Sequence, residues 1–361
     1  MEPGTLAMTP LGNRDQTHSR VLVTGGAGFI GSNLVRTLVR QGREVLNFDK
    51  LSYAGHRQSL SDLENSANLR WCIADLCDLE AVRSVVAEFQ PHAVIHLAAE
   101  SHVDRSIHVP LVFAQSNVIG TLHLLEAVRE YWSTLPCAES VKNFRMIHVS
   151  TDEVFGALGD GGIFSESSPY NPSSPYAASK ASADHFVRAY RNTYQLPICI
   201  TNCSNNFGPY QHPEKLIPTV ITRAISGDTI PVYGNGMNVR DWLHVDDHCQ
   251  ALLQILQHAP TNTDYMIGAK NTVRNIDLVV SICDILDELS PRADGQPMRH
   301  QIQMVADRPG HDYRYAVDPS KLMGELHWVP QHESHSALRQ TIIWYLENRW
   351  WWQGILNATL K

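Results

Sequence analysis

Short uninterrupted apolar runs alternate along the chain with segments whose apolar residues recur every three or four positions. Arg20-Val-Leu-Val-Thr24 reads as a buried strand, and Leu34, Val35, Leu38 and Val39 mark the inner face of the helix that follows. Glu44-Val-Leu-Asn-Phe48, Leu69-Arg-Trp-Cys-Ile73 and Ala93-Val-Ile-His-Leu97 continue the series as strands. Leu79 to Phe89, and the set Phe113, Val118, Leu122, Leu125 and Val128, supply further helices. A fifth strand, carrying Phe144, Met146, Ile147 and Val149, ends in Ser150-Thr-Asp-Glu153. Strands separated by helices of this length predict an α/β protein with a doubly wound parallel sheet, its ligands beyond the strands' carboxyl ends.

After Asn205-Asn206 the periodicity is broken by Pro209, Pro213 and Pro218, which predicts a crossing into a smaller lobe. The expected division is a sheet domain over 20–206, with returns near 236–272 and in the last helix, and a lobe over 207–235 and 273–330. Residues 1–19, with Pro3, Gly4, Pro10 and Gly12, are expected to be a disordered tail rather than a signal peptide or a membrane helix.

With 361 residues, 43% of them hydrophobic, the chain can bury a large core. Its net charge of −8 offers no basic surface for a phosphate backbone, so a nucleic-acid partner is not expected. No apolar run approaches the roughly 20 residues of a membrane span. Seven dispersed cysteines without a Cys-x-x-Cys pair read as reduced core residues of a cytoplasmic protein.

The first strand leads directly into Gly25-Gly-Ala-Gly28-Phe29-Ile30-Gly31. Glycines at this spacing allow a tight turn, the approach of a pyrophosphate to the backbone, and close packing of helix on sheet, the Rossmann arrangement. The helix N-terminus then offers free N–H groups to the phosphates. Asp49 falls at the end of the second strand, where a carboxylate accepts hydrogen bonds from ribose hydroxyls and repels a 2′-phosphate, so NAD is expected over NADP. Lys50 beside it pulls the other way by tolerating extra negative charge. Asp75 and Leu76 end the third strand, where a carboxylate could meet the adenine amino group. Leu97, Ala98 and Ala99 end the fourth, small enough there for backbone to pass close to a flat cofactor.

Two stretches carry the candidate chemistry. Asp152 and Glu153 put two carboxylates at a strand end, and Tyr176-Ala-Ala-Ser-Lys180 puts a phenol and an amine on one helix face. Either alone is compatible with a solvated surface; over a nicotinamide they become an acid, a base and an activated hydroxyl.

These residues resemble the extended short-chain dehydrogenase/reductase superfamily through the glycine turn and Tyr176-x-x-x-Lys180. Within it, Thr151-Asp-Glu153, Asp49-Lys-Leu-Ser-Tyr-Ala-Gly55, Ala98-Ala-Glu-Ser-His-Val-Asp-Arg-Ser106, Pro213-Glu-Lys-Leu-Ile-Pro218, Arg240-Asp-Trp242 and Arg308-Pro-Gly-His-Asp312 are similar to the dTDP-glucose 4,6-dehydratase family. The likeness runs from about residue 20 to 350; Phe155, Phe207 and His56 depart from it.

The resemblance implies that dTDP-glucose is oxidised at C4, loses water across C5–C6, and is reduced at C6. It implies Tyr176 as base assisted by Lys180, Glu153 as the base at C5, Asp152 as the acid at the 6-hydroxyl, and Thr151 near O4. Further cofactor contacts are implied at Ser52, Ser116 and Asn206. Substrate contacts are implied at Ser101, Asn205, Lys215, Leu216, Pro231, Tyr233, Arg240, Asn275, Arg308 and His311, with Tyr315 closing over the nucleoside and His102 as support. A homodimer is implied too; the apolar helix faces near 111–130 and 181–195 are candidates for its surface.

No metal is expected: His244-Val-Asp-Asp-His248 sits on a strand-to-helix signature, and His332-Glu-Ser-His335 is one residue short of the zinc-protease helix motif. Trp344, Trp350, Trp351 and Trp352 are expected to anchor the last helix or line a dimer contact. Two other readings stay open: a UDP-sugar epimerase or decarboxylase of the same superfamily, and an idle NAD-binding scaffold.

Overall fold

A computed structural model describes residues 18–359. The expected tail lies outside them as far as residue 17, but His18 and Ser19 are tied down. His18 Nε2 donates to the Asn143 carbonyl at 2.8 Å, and Ser19 Oγ meets His92 Nδ1 at 3.1 Å.

The strands are β1 (Arg20–Thr24), β2 (Glu44–Asp49), β3 (Leu69–Ile73), β4 (Ala93–His96), β5 (Arg145–Thr151), β6 (Ile198–Cys203), β7 (Asn205–Phe207), β8 (Ile230–Tyr233), β9 (Val239–His244), β10 (Asp264–Ile267), β11 (Thr272–Arg274) and β12 (Ile302–Val305). Seven form one sheet in the order β3-β2-β1-β4-β5-β6-β10, and every pairing in it is parallel. The chain order reverses between β1 and β4, which opens a crevice at the carboxyl ends of those strands.

Continuous apolar strands are explained by cover on both faces. Leu34, Val35 and Leu38 of the Phe29–Arg40 helix pack with Leu252 and Leu256 on one side. Val82, Val86, Leu124, Leu125, Val128 and Val187 pack on the other. A third core joins Ile217, Val220 and Ile221 to Ile282, Leu286, Tyr345 and Trp351, beside the small sheets β11-β9-β7 and β12-β8.

The C-terminal tryptophans divide. Trp351 and Trp352 are buried, their indole N–H groups donating to Ser59 Oγ at 3.2 Å and the Tyr345 carbonyl at 2.9 Å. Trp350 is exposed. All seven cysteines are free.

The helix expected through Phe113, Val118, Leu122, Leu125 and Val128 runs as continuous helix over Pro110–Ser133, 24 residues, with a π turn at Ala114–Ile119. It is long and apolar enough by length and composition to cross a membrane, yet much of it packs into the protein. Leu124, Leu125 and Val128 then face the sheet core, while Leu111 and Val112 are exposed.

Candidate active site

The crevice is a cleft of about 340 Å³ running from Gly25, Asp49 and Asp75 at one end, past Ser116, Tyr176 and Lys180, to Asn205, Lys215 and Leu216 at the other. Phe29, Ile30, Ser52, Leu76, Leu97, Ala98, Ala99 and Asn206 also line it, as do Ser101 and the Thr151–Glu153 stretch.

The glycine turn fits a dinucleotide on geometric grounds. A Cβ on Gly25, whose φ is +75°, would lie 2.6 Å from the Ala98 nitrogen; one on Gly31 would lie 2.1 Å from the Gly25 carbonyl oxygen. One on Gly28 would meet only that carbonyl oxygen, at 3.3 Å, so the backbone is bare on the cleft side. Asp49 is held in place by the Ala27 and Leu51 amides at 2.9 and 2.8 Å. Each of its oxygens keeps a lone pair for a ribose hydroxyl.

Lys50 does not serve a 2′-phosphate in this arrangement. Its Nζ lies 3.6 Å from Asp75 and 3.7 Å from Glu100, and donates to Ser116 Oγ at 3.3 Å. Its charge is therefore already matched within the protein.

Asn117, which the sequence did not reveal, links this end to the next helix. Its side chain accepts from the Glu100 amide at 2.8 Å and donates to the Glu100 carbonyl at 3.0 Å and to Ser179 Oγ at 2.8 Å. The π turn is what aims it there.

β5 ends at Thr151, and a single 3₁₀ turn, Asp152–Phe155, follows. Thr151 Oγ1 accepts from the Glu153 amide and donates to Asp152 Oδ1 at 3.2 Å. The facing helix, Pro175–Tyr194, starts sharply because Ser174 caps the Ala177 amide and proline occupies its first position. This brings the Tyr176 hydroxyl within hydrogen-bonding reach of Thr151.

Burial pushes Asp152 well above the usual carboxylate range, and the charges of Glu153 and Asp241 push it further. Glu153 is also raised by burial, but Arg308, Arg240 and Lys215 pull it back. Burial and the Glu153 charge raise the Tyr176 phenol, and the Lys180 ammonium donates one of its three N–H groups to the Val149 carbonyl at 2.9 Å, which leaves two for other partners.

Beneath this layer, Asp184 is fully buried and accepts from His148 Nε2 at 3.0 Å, Ser150 Oγ at 2.8 Å and Tyr170 hydroxyl at 2.8 Å. It fixes the end of β5 to the Pro175–Tyr194 helix and was not foreseen.

On the lobe side, Lys215 Nζ donates to the Ser101 carbonyl at 2.9 Å. His102 caps the Val103–His108 helix through Nδ1 and is pulled down to about 4, chiefly by burial. Pro231, Tyr233, Arg240, Asn275, Arg308, His311 and Tyr315 do not line the cleft itself. Asp104, unforeseen, gathers two of them, accepting from Arg308 at 2.9 Å and from the Tyr233 hydroxyl at 3.1 Å. His311 stands edge-on to Tyr233, and Asn275 Oδ1 is buried without a partner. Tyr315 is not a flap: its ring is buried under the Arg240 guanidinium at 4.4 Å, and its hydroxyl donates to Asp312 at 2.5 Å.

The histidine motifs rearrange as well. His248 is buried and meets Asn206 Oδ1 at 2.9 Å, whereas His244 stacks on His332, 4.1 Å between ring centres.

A parallel sheet that delivers a glycine turn, a carboxylate pair and a Tyr-x-x-x-Lys helix to one crevice is the architecture of the extended short-chain dehydrogenase/reductases. The profile of the GDP-mannose 4,6 dehydratase family matches residues 22–341. A probable dTDP-glucose 4,6-dehydratase of Sinorhizobium fredii is 55% identical, over 93% of this chain and 95% of its own. A dTDP-glucose 4,6-dehydratase of Xanthomonas campestris pv. campestris is 51% identical, over 94% and 97%. The crystal structure of the dTDP-glucose 4,6-dehydratase DesIV from Streptomyces venezuelae, with NAD bound, superposes with a TM-score of 0.84 at 42% identity, covering 93% of this chain and 99% of that one. The chain belongs to the dTDP-glucose 4,6-dehydratase family.

Proposed function

We propose that the protein is an NAD-dependent hydro-lyase that converts dTDP-glucose into dTDP-4-keto-6-deoxyglucose and water. The observation that carries this reading is the contrast within one buried carboxylate pair: after burial, the main charges on Asp152 are Glu153 and Asp241, opposed by Arg240, while those on Glu153 are Arg308, Arg240 and Lys215, opposed by Asp312. Such a pair favours one proton donor and one proton acceptor side by side. An epimerase needs only the tyrosine, so the pair also weighs against that alternative.

NAD, when bound along the glycine turn, supplies a reversible two-electron acceptor and remains with the enzyme through the turnover. Gly25, Gly28, Phe29, Ile30 and Gly31 cradle its pyrophosphate, Asp49 binds ribose hydroxyls, and Lys50, Ser52, Asp75, Leu76, Leu97, Ala98, Ala99, Ser116 and Asn206 complete its bed. Tyr176 takes the proton of the 4-hydroxyl while Thr151 steadies O4. Lys180 holds the nicotinamide ribose. Once C4 is a ketone, Glu153 removes the acidified proton on C5 and Asp152 gives its proton to the departing 6-hydroxyl, which leaves as water; Glu153 then returns the proton to C5 as C6 would take back the hydride lost from C4, which balances the turnover.

Residues 207–235 and 273–330 form the substrate lobe in this reading. Lys215, Arg240, Arg308 and His311 meet the pyrophosphate, and Ser101, Asn205, Leu216, Pro231, Tyr233 and Asn275 meet the sugar and nucleoside; Tyr315 supports Arg240. The reading includes a cytoplasmic homodimer. Exposed Leu111, Val112 and Ile119, with Phe186 and Tyr194 on the Pro175–Tyr194 helix, support a pairing surface there. Free cysteines support a reducing compartment.

Incubation of the purified protein with dTDP-glucose, followed by alkali, should give the ultraviolet absorbance of a 4-ketosugar, with much less from UDP-glucose. No ketosugar from either, with NAD demonstrably bound, would overturn the dehydratase reading.

A further inference from the structure

Asp104 joins two parts of the molecule that the chain keeps far apart. It sits in the first turn of the Val103–His108 helix, just after the stretch from Leu97 to Ser101 that lines the cleft. Its Oδ1 accepts from Arg308 Nη1 at 2.9 Å across 204 residues, and its Oδ2 accepts from the Tyr233 hydroxyl at 3.1 Å across 129. β8 and β12 run parallel with Tyr233 paired to Val305, so both donors leave the same end of one small sheet. We propose that Asp104 is a positioning residue for sugar-nucleotide binding, holding the Arg308 guanidinium and the Tyr233 phenol where the diphosphate and the nucleoside need them. The inference rests on the reading of Arg308 and Tyr233 as substrate contacts.

A long side chain that is ordered only when its ligand arrives subtracts that ordering from the affinity, so a carboxylate that orders it beforehand strengthens binding. Asp104 takes a single N–H of Arg308. The Arg308 Nε–H is buried without a partner among the described residues, which leaves the guanidinium a donor for a phosphate oxygen. Burial works against the charge on Asp104, but the hydrogen bond and charge of Arg308 hold its carboxyl below the ordinary value, so it is ionised for this task. The Arg308 backbone is fixed too: Asp307 Oδ1 accepts from the Arg308 amide at 2.9 Å and from His311 Nδ1 at 2.6 Å. After burial, Arg308 is the foremost charge acting on Glu153, so where its guanidinium is held bears on the reacting end as well.

A carboxylate near a diphosphate also repels it, and the two effects compete. Lys215, Arg240 and Arg308 together keep the surroundings of Glu153 cationic with Asp104 in place. Without Asp104, no hydrogen bond among the described residues sets the direction of either donor. Orientation is therefore the larger effect.

The test measures dTDP binding to the full-length protein with NAD bound, by calorimetry, alongside turnover of dTDP-glucose. Asp104→Ala, at a half-buried position, should weaken dTDP binding and raise KM by about tenfold, with kcat held within about twofold. In an Arg308→Ala, Tyr233→Phe background the same change should add nothing, because Asp104 then has no group to act through. Unchanged or tighter dTDP binding by Asp104→Ala would mean that the carboxylate only repels the ligand, and would overturn the proposal. An equal loss in the double-variant background, or a fall in kcat with KM unmoved, would overturn it too. A wild-type chain that binds dTDP yet forms no ketosugar would sink the dehydratase reading alone, since binding is read without turnover.

Discussion

Asp152 and Glu153 are covalent neighbours held in opposite electrical settings. Burial comes first for both; after it, Glu153 and Asp241 push Asp152 up against a weaker pull from Arg240, whereas Arg308, Arg240 and Lys215 pull Glu153 down against a weaker push from Asp312. The two carboxylates stand side by side at the start of one 3₁₀ turn.

That contrast predicts where each variant stalls. Glu153→Gln should still oxidise the sugar but not eliminate water, so reduced nicotinamide builds up on the enzyme and kcat falls by about 10²–10⁴. Tyr176→Phe should fall by a similar factor with no reduced cofactor at all. Single-turnover absorbance distinguishes them; the same spectrum from both would remove the division of labour.

A bell-shaped pH profile follows from the same pair. Activity should fall on the acid side as Glu153 takes up a proton, at a pH above that of an ordinary carboxylate since its pKa is raised. It should fall again on the alkaline side as Asp152 loses the proton it donates. In Asp152→Asn the alkaline limb should vanish from the elimination step, with a lower plateau. The two limbs belong to the pair as a coupled unit.

Asp184 should govern stability more than turnover chemistry. Asp184→Ala leaves a buried His148, Ser150 and Tyr170 without their common acceptor, a loss of about 3–5 kcal/mol, measurable by urea unfolding. Burial alone would raise this carboxyl, but the His148 hydrogen bond and charge, with Lys180 nearby, hold it below its ordinary 3.8. A depressed carboxylate stabilises the fold above its unfolded pKa and ceases to do so as pH falls through its folded one. The wild-type chain should therefore lose stability on acidification below about pH 4, and Asp184→Ala should lose less over that window.

Asp49→Ala removes the acceptor for the Ala27 and Leu51 amides and, on the proposed reading, for the ribose hydroxyls. NAD affinity should drop by at least about tenfold, read as NAD lost during gel filtration. Because Lys50 is matched by Asp75 and Glu100, the variant should not gain comparable affinity for NADP.

The elements around the site were legible where local pattern decides them. β1 with its glycine turn, Asp49 at the end of β2 and the capped Tyr176 helix all follow from neighbours a few residues apart. What escaped depends on contacts across long stretches of chain. Asp184 meets His148 across 36 residues, and Asp104 meets Arg308 across 204. A carboxylate inside a helix gives no sign of which strand it will face. The helix of Phe113, Val118, Leu122, Leu125 and Val128 was legible across the π turn, but the turn itself was not, because one extra residue per turn leaves no mark in residue type. Lys180 and Tyr315 were legible in position but not in contact, since their hydrogen-bond partners are a strand carbonyl and a loop carboxylate.

Asn117 binds the loop after β4 and the Pro175–Tyr194 helix with one amide, and Ser179, which receives one of those bonds, itself donates to the Tyr176 carbonyl. The Glu100 stretch on one side of the cleft and the Tyr176 helix on the other thus hang on a single side chain, so a change at Asn117 reaches both walls at once without touching anything bound between them.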